Sequence, residues 1–518
     1  MYRFLRFHIA IILSCSFFVP VKGDESPAYE ELSVNNIRAS VHADGLFFTD
    51  QNYVPVNSVF EVPRGSGNST IYASSLWLSG LDDRGNLYTA AQTYRQRGVD
   101  FHPGPVEELG HASDTSDWNN LWKIDQATIK AHQQNWQKDD YEIPEVVAKW
   151  PAHIDGPGSR VIAPFMDRQQ NTIYEPENGD YPFIYGDEAI YFIYNDQADY
   201  NEETSSPSLG MEIKGMAYAY NKPESHPLGN TIFLSLNVTN RSNTTYHDFI
   251  AGLWTDLQIG EHFNDYFGTD PGRNMYYGYI GNEEDSEYGF SPPAQGVVFL
   301  NQEPGTMVSY DNNEGERGNP QIRDHYRHYM EGKMKEGENF PYENENFLYD
   351  GDPCADEGFY EHAAGNPMGD RRGLGSLDGQ TLEPGDNISI DIAFIYARSD
   401  DGHLQSVCEL QNAADDVHKF YRNNINPEEA VSIIEQPGEE NSISFYPNPA
   451  NDLLNIQTPE RLTGEINVTF YDLQGREIEQ KVFSRDNQID LNFLESGTYI
   501  LKTQWEGNTE RHRIVVER

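Results

Sequence analysis

The chain runs to 518 residues, with 83 Asp and Glu against 36 Lys and Arg and a formal net charge of −47. At about 150 residues per domain this is two to four domains, and so negative a surface makes nucleic acid and anionic lipid poor partners while suiting divalent cations or extracellular solubility. Aromatic residues reach 13%, with 32 Tyr and 26 Phe, and 43 Gly and 29 Pro punctuate them, so the composition implies a mainly β protein rich in turns.

The first residues read MYRFLRFH, then the apolar IAIILSCSFFVPV, then KGDES. A basic start, a short apolar core and a small residue near Gly23 form a Sec-type signal peptide over residues 1–23. The apolar run is too short for a comfortable membrane span, and no later stretch approaches one. Ile12-Leu13-Ser14-Cys15 makes a poor lipobox, because Leu13 stands where such motifs place a small or β-branched residue. Export leaves Cys354 and Cys408 as the cysteines of the mature chain. They could form one disulfide, but their separation in space is not readable from sequence. The chain has no CxxC pair, which excludes metal binding through cysteine.

Residues 24–425 read as a strand-rich body, of one piece or two subdomains. Ile71–Leu78 and Leu87–Tyr94 flank Asp82-Asp83-Arg84-Gly85-Asn86 and predict a hairpin. Trp118 to Lys138 predicts a helix, with Leu121, Ile124, Ile129 and Trp136 among polar positions. Further strands are expected at 189–194, 214–220, 231–237, 249–259, 297–300 and 388–397, and helices at 324–335 and 404–422. No fixed period repeats, which argues against a propeller or solenoid.

Candidate chemistry in the body is sparse. In Pro164 to Pro182 (PFMDRQQNTIYEPENGDYP), Asp167-Arg168-Gln169-Gln170-Asn171-Thr172 stands where a cation loop could form, but the second acid and glycine of such a loop are missing and Arg168 adds a repelling charge, so a structural turn at Gly179 and Pro182 is the simpler reading. Trp254 to Asp270 (WTDLQIGEHFNDYFGTD) is the best metal segment. Asp256, Asp265 and Asp270, with Glu261 and Asn264 between, supply the hard oxygens that calcium takes in sets of six to eight. His325 and His328 make HxxH without HExxH, and Ser376 does not fit a nucleophile elbow. A glycosidase pair needs no local motif, so no catalytic residue is assigned. Trp77, Trp118, Trp122, Trp136 and Trp150 could stack on sugar rings, but core packing is the commoner use of such side chains.

Residues 426–441 (NPEEAVSIIEQPGEEN) lose periodicity and read as an acidic linker. Within residues 442–518 alternation resumes in short strands separated by turns, which predicts a small immunoglobulin-like β-sandwich. Tyr446-Pro447-Asn448-Pro449, Tyr471-Asp472-Leu473-Gln474-Gly475-Arg476, Leu494-Glu495-Ser496-Gly497-Thr498-Tyr499 and the closing Arg513-Ile514-Val515-Val516 occur in that order. They resemble the four motifs of type A C-terminal sorting domains of the Bacteroidota type IX secretion system. The resemblance implies recognition by the outer-membrane translocon, removal of the domain by its sorting peptidase, and release or attachment to surface lipopolysaccharide. The body strings FHPGPVEE, KWPAHI, IYEPENGDYPFIYGDEAIYFIYND, WTDLQIG, FSPPAQGVVFL, GDPC and GDRRGLGSLDGQTLEPGD resemble a group of large secreted Bacteroidota proteins, which transfers no mechanism.

The sequence thus predicts an exported extracellular or cell-surface protein, non-enzymatic, calcium-stabilised, and binding a glycan or surface-matrix component. The alternative is a secreted hydrolase acting on polysaccharide or protein.

Overall fold

Alternating apolar positions and glycine-rich turns build a computed structural model that is 42% strand and 14% helix, mainly β as expected. The structure describes residues 26–425 except 51–56, 95–96, 107–117, 155–158, 198–199, 343 and 345, together with residues 444–446, 450, 453–457, 466–471, 477–483, 487–494, 497–505 and 508–516. The expected signal peptide and linker lie outside the described residues.

The body begins with β1 (Tyr29–Leu32), β2 (Arg38–His42) and β3 (Leu46–Phe47). The expected hairpin is β4 (Ile71–Leu81) paired antiparallel with β5 (Leu87–Ala90). Its turn is closed by Asp82 Oδ1, which accepts the backbone N–H of Arg84 at 2.9 Å and of Asn86 at 2.8 Å. The helix expected over 118–138 is shorter. Trp122–Asp125 is an edge strand, β6, whose Trp122 and Ile124 lie opposite Tyr191 and Ala189. Only then does α1 (Gln126–Asn135) start, capped by Asp125 Oδ1 accepting Thr128 N–H at 2.6 Å. Period-two burial of Trp122 and Ile124 thus prevails over a helical spacing that the same residues also satisfy.

Strands β7 (Glu188–Asn195), β8 (Met211–Ala219), β9 (Thr231–Asn240) and β10 (Tyr246–Leu257) follow the sequence pattern closely. The hairpin β11 (Asp265–Asp270) and β12 (Met275–Ile280) was not signalled, because its residues are almost all buried and show no polar alternation. Next come β13 (Ala294–Phe299), β14 (Pro304–Asp311), α2 (Arg323–Met330), β15 (Arg371–Leu377), β16 (Asn387–Ala397) and α3 (His403–Asn424). Helix α2 stops short of the expected 335 because Gly332, at φ +73°, turns the chain left-handed and donates its N–H to Tyr329 O.

One antiparallel sheet runs β1-β2-β3-β4-β10-β15-β14, and a second runs β6-β7-β8-β9-β16-β13-β12-β11. Their facing sides share one core that includes Leu76, Leu253, Ile213, Leu234, Tyr276 and Phe394. Gly373 of β15 has no room for a side chain, since a Cβ there would stand 2.7 Å from the Tyr276 ring. The outer face of the second sheet packs a second core against α3 and the 122–165 segment, including Tyr191, Tyr218, Val147 and Val407. Helix α2 covers the outer face of the first sheet, where Tyr326 meets Trp77 edge-on at 4.8 Å.

The C-terminal segment forms strands β17 (Ser444–Tyr446), β18 (Leu453–Gln457), β19 (Ile466–Tyr471), β20 (Glu477–Phe483), β21 (Asn487–Asp490), β22 (Gly497–Trp505) and β23 (Asn508–Val516). They make two sheets, β17-β18-β21 and β20-β19-β22-β23, around a core of Leu454, Ile466, Val468, Phe470, Leu501 and Ile514. This is the small β-sandwich that the alternation predicted.

Candidate functional site

The three acids predicted to hold calcium occupy different surroundings. Asp256 lies on β10 between Ala73 of β4 and Arg372 of β15. Its Oδ2 stands 3.2 Å from Arg372 Nη2 and accepts a hydrogen bond from the Tyr94 hydroxyl. Arg372 also donates to Tyr94 Oη at 3.1 Å, and its Nη1 lies 2.5 Å from Asp370 Oδ1. Burial pushes the Asp256 carboxyl up to about 7, although Arg372 pulls it down. Trp254 stacks on Trp77 at 6.0 Å and meets Tyr94 at 5.3 Å, giving this cluster an aromatic wall.

Asp265 opens β11 and is fully buried. Its backbone carbonyl accepts Gly369 N–H at 3.1 Å, but neither carboxylate oxygen makes a well-aligned hydrogen bond. Burial first, then Asp370, hold its carboxyl well above the usual range, against the pull of the Ile259 backbone N–H. Asp270 closes the same strand, where its Oδ1 accepts Arg273 N–H at 3.2 Å and its Oδ2 pairs with Arg273 Nη1 at 2.7 Å. Asp270 lies five positions beyond Asp265 on the strand. They therefore point to opposite faces and stand about 17 Å apart at about 3.4 Å per residue, too far to share one ion. Among the described residues no group of three His, Cys, Asp or Glu side chains converges as a metal would need.

In the Pro164–Pro182 loop Asp167 and Asp180 accept backbone N–H groups of the loop itself. Asp167 Oδ2 accepts Thr172 N–H at 2.6 Å, and Asp180 accepts the N–H groups of Arg168 and Glu175, both at 2.8 Å. Gly179, at φ +96°, lies where a Cβ would strike the Trp136 ring at 2.6 Å. His325 and His328 do not act together, since His325 Nδ1 accepts Gln321 N–H and His328 Nδ1 bonds Lys335 O. The tryptophans are mainly structural. Trp77, Trp122 and Trp150 are buried, and their indole N–H groups donate to backbone carbonyls of Gln92, Lys149 and Pro164.

Sequence reasoning missed both arginines that organise these acids. Arg371 and Arg372 appear in the GDRRGLG string, and two adjacent basic residues in an acid-rich stretch at the start of a strand are the signal that could have found them. Arg371 Nη2 pairs with the buried Glu361 at 3.0 Å and its Nη1 with Asp311 at 3.0 Å. Arg372 is set between Asp256 and Asp370 and pairs with both.

In the C-terminal sandwich, Tyr446 closes β17 and Gly497 and Tyr499 lie at the start of β22. Pro447, Asn448, Pro449, Gly475 and Arg476 lie outside the described residues.

Residues 444–517 match the family described as a secretion system C-terminal sorting domain. The chain therefore carries a type IX sorting domain, which indicates export to the cell surface or extracellular space. No curated protein matches the chain. Similar solved structures include a polysaccharide lyase, at 8% identity and TM-score 0.18, over 59% of this chain and 34% of that one. A putative aldose 1-epimerase from Escherichia coli K12 matches at 10% identity and TM-score 0.22, over 72% and 99%. Dimeric latent PorU from Porphyromonas gingivalis matches at 10% identity and TM-score 0.13, over 64% and 31%. The chain spans about a third of the length of that polysaccharide lyase. No functional reading follows from likenesses at these scores.

Proposed function

We propose that this protein works at the cell surface or outside the cell as a non-enzymatic binding or structural protein. Its route is Sec export under the residue 1–23 signal, then handling of the sorting domain by the type IX translocon and its peptidase. The ligand class proposed for the body is a glycan or a surface-matrix component.

The observation that carries the non-enzymatic reading is the internal pairing of Asp256, Glu361, Asp196 and Asp285. Asp256 and Glu361 are held by Arg372 and Arg371, as described above. Asp196 accepts the N–H groups of Leu209 and Met211, both at 2.6 Å. Asp285 accepts those of Glu261, Glu287 and Tyr288. Carboxylates so engaged serve to satisfy buried backbone and to close the fold. The competing reading is a secreted hydrolase of polysaccharide or protein. It is favoured by one fact: burial pushes Asp100 as well as Asp256 up to about 7, near the working range of a general acid. A glycan array run beside a polysaccharide and protein hydrolase screen on the purified chain separates the two. Binding without turnover supports the binding reading, and turnover of any substrate overturns it.

Calcium belongs to the proposal through Asp265. Of the three predicted acids, Asp256 and Asp270 are matched by arginines, whereas the Asp265 oxygens are claimed by no well-aligned donor. An ion there would draw its remaining oxygens from backbone carbonyls and water.

A further inference from the structure

Strand β8 carries Glu212 and Lys214 two residues apart, so both point to the outer face of the second sheet. Two arginines from distant segments converge on Glu212. Arg160 Nη1 lies 2.5 Å from Glu212 Oε1, and Arg241 Nη2 lies 3.3 Å from the same oxygen. Glu212 Oε2 accepts Val106 N–H at 2.9 Å, and Arg160 Nη2 donates to Val106 O at 2.8 Å. Glu212 is fully buried, whereas the arginine side chains remain 22% and 27% exposed, so solvent reaches them. Three cations therefore surround one carboxylate, a local excess of positive charge in a chain whose net charge is −47.

Glu212 is engaged by Arg160, Arg241 and Val106 rather than by Lys214. No carboxylate among the described residues lies within ion-pair distance of its Nζ, although it feels Glu212, Arg241 and Arg160. Around it the sheet is polar rather than apolar. Asn237 of β9 lies opposite Lys214 and pairs through Nδ2 with Asn387 Oδ1 at 3.1 Å, and Thr239 donates to Asn237 Oδ1 at 3.1 Å. Further along the same face, Met216, Tyr218 and Phe233 are covered by the second core. The cationic end is thus the part of this sheet face built for a polar occupant.

We propose that Lys214, Arg160 and Arg241 form an oxyanion site that takes a single carboxylate or sulfate group. Among the described residues the Lys214 ammonium, Arg160 Nε and Arg241 Nη1 make no hydrogen bond, and two guanidinium planes suit an oxyanion better than a point charge would. A single compact group is required because the acidic surface beyond the site repels a long polyanion. Burial lowers the Lys214 ammonium to about 8, so it is still largely charged at neutral pH and gains from an added anion. This inference rests on the reading of the body as a binding protein, for which it names a ligand chemistry.

The test is calorimetry and thermal unfolding of the full chain with sodium sulfate or sodium glucuronate, against sodium chloride at equal ionic strength. Wild type is expected to bind either anion above the chloride baseline. Lys214→Met is expected to weaken binding by about tenfold, in line with the loss of one charge-assisted hydrogen bond, while Lys214→Arg retains it. Equal binding by wild type and Lys214→Met, or no effect beyond chloride, overturns the site. Binding of glucuronate alone supports the site and assigns its source to a glycan acid. Binding of sulfate alone supports it with a sulfate ester or free ion as source. Cleavage of a uronate oligomer, lost with Lys214→Met, supports the site but removes the non-enzymatic reading.

Discussion

Cys354 and Cys408 are joined by a disulfide across 54 residues of sequence, with Cα atoms 5.3 Å apart. The bond fastens the segment between β14 and β15, which carries α2, to the second turn of α3. It closes the alternative that sequence left open, and it fits the oxidising surroundings of an exported chain.

Replacing both cysteines by serine is therefore expected to lower unfolding free energy by roughly 2–4 kcal/mol, because the unfolded chain regains a long loop. Urea unfolding of the double variant, and of wild type with and without reductant, measures this. A midpoint unchanged in both experiments would show that the bond contributes nothing.

Arg372 balances two acids, so Arg372→Met strands Asp256 and Asp370. A loss of roughly 3–5 kcal/mol is expected, the range for breaking a buried pair from one side. Asp256→Asn should cost less, since it keeps the shape and removes a charge that burial already disfavours. Reversal of that order in chemical denaturation would contradict the ion cluster described here.

The raised Asp256 carboxyl also makes a pH prediction. Its folded value is about 7 and its ordinary value is 3.8. Between these the folded state holds the proton more tightly, so the Asp256 contribution favours folding in acid and is lost as pH rises through about 7. The stability difference between Asp256→Asn and wild type should accordingly shift toward the variant as pH rises from 4 to 8. A difference independent of pH rules out the raised value.

Calcium is expected to raise the melting temperature of wild type and to leave Asp265→Asn unmoved, because an ion that binds only the native state stabilises it. Identical wild-type melting curves with calcium and with chelator remove calcium from the account.

Deletion of residues 442–518 is expected to trap the body in the periplasm, because the sorting domain lies there. Cell fractionation with normal surface delivery of the truncated chain would refute the sorting assignment.

What sequence alone determined about this protein is local. Period-two alternation located β7, β8, β9 and β16 to within a few residues, and the ordered sorting motifs identified the C-terminal sandwich and its address. These signals survive because each depends on neighbours a few residues away. The roles of the acids were decided only in three dimensions. Asp256 and Arg372 are 116 residues apart in sequence yet opposite one another on adjacent strands, and Glu212 gathers Arg160 and Arg241 from 52 and 29 residues away. Whether a carboxylate is a free ligand or one half of a buried pair depends on desolvation and on which cation the sheet order brings beside it. Both are properties of burial and strand order, and no spacing along the chain encodes them.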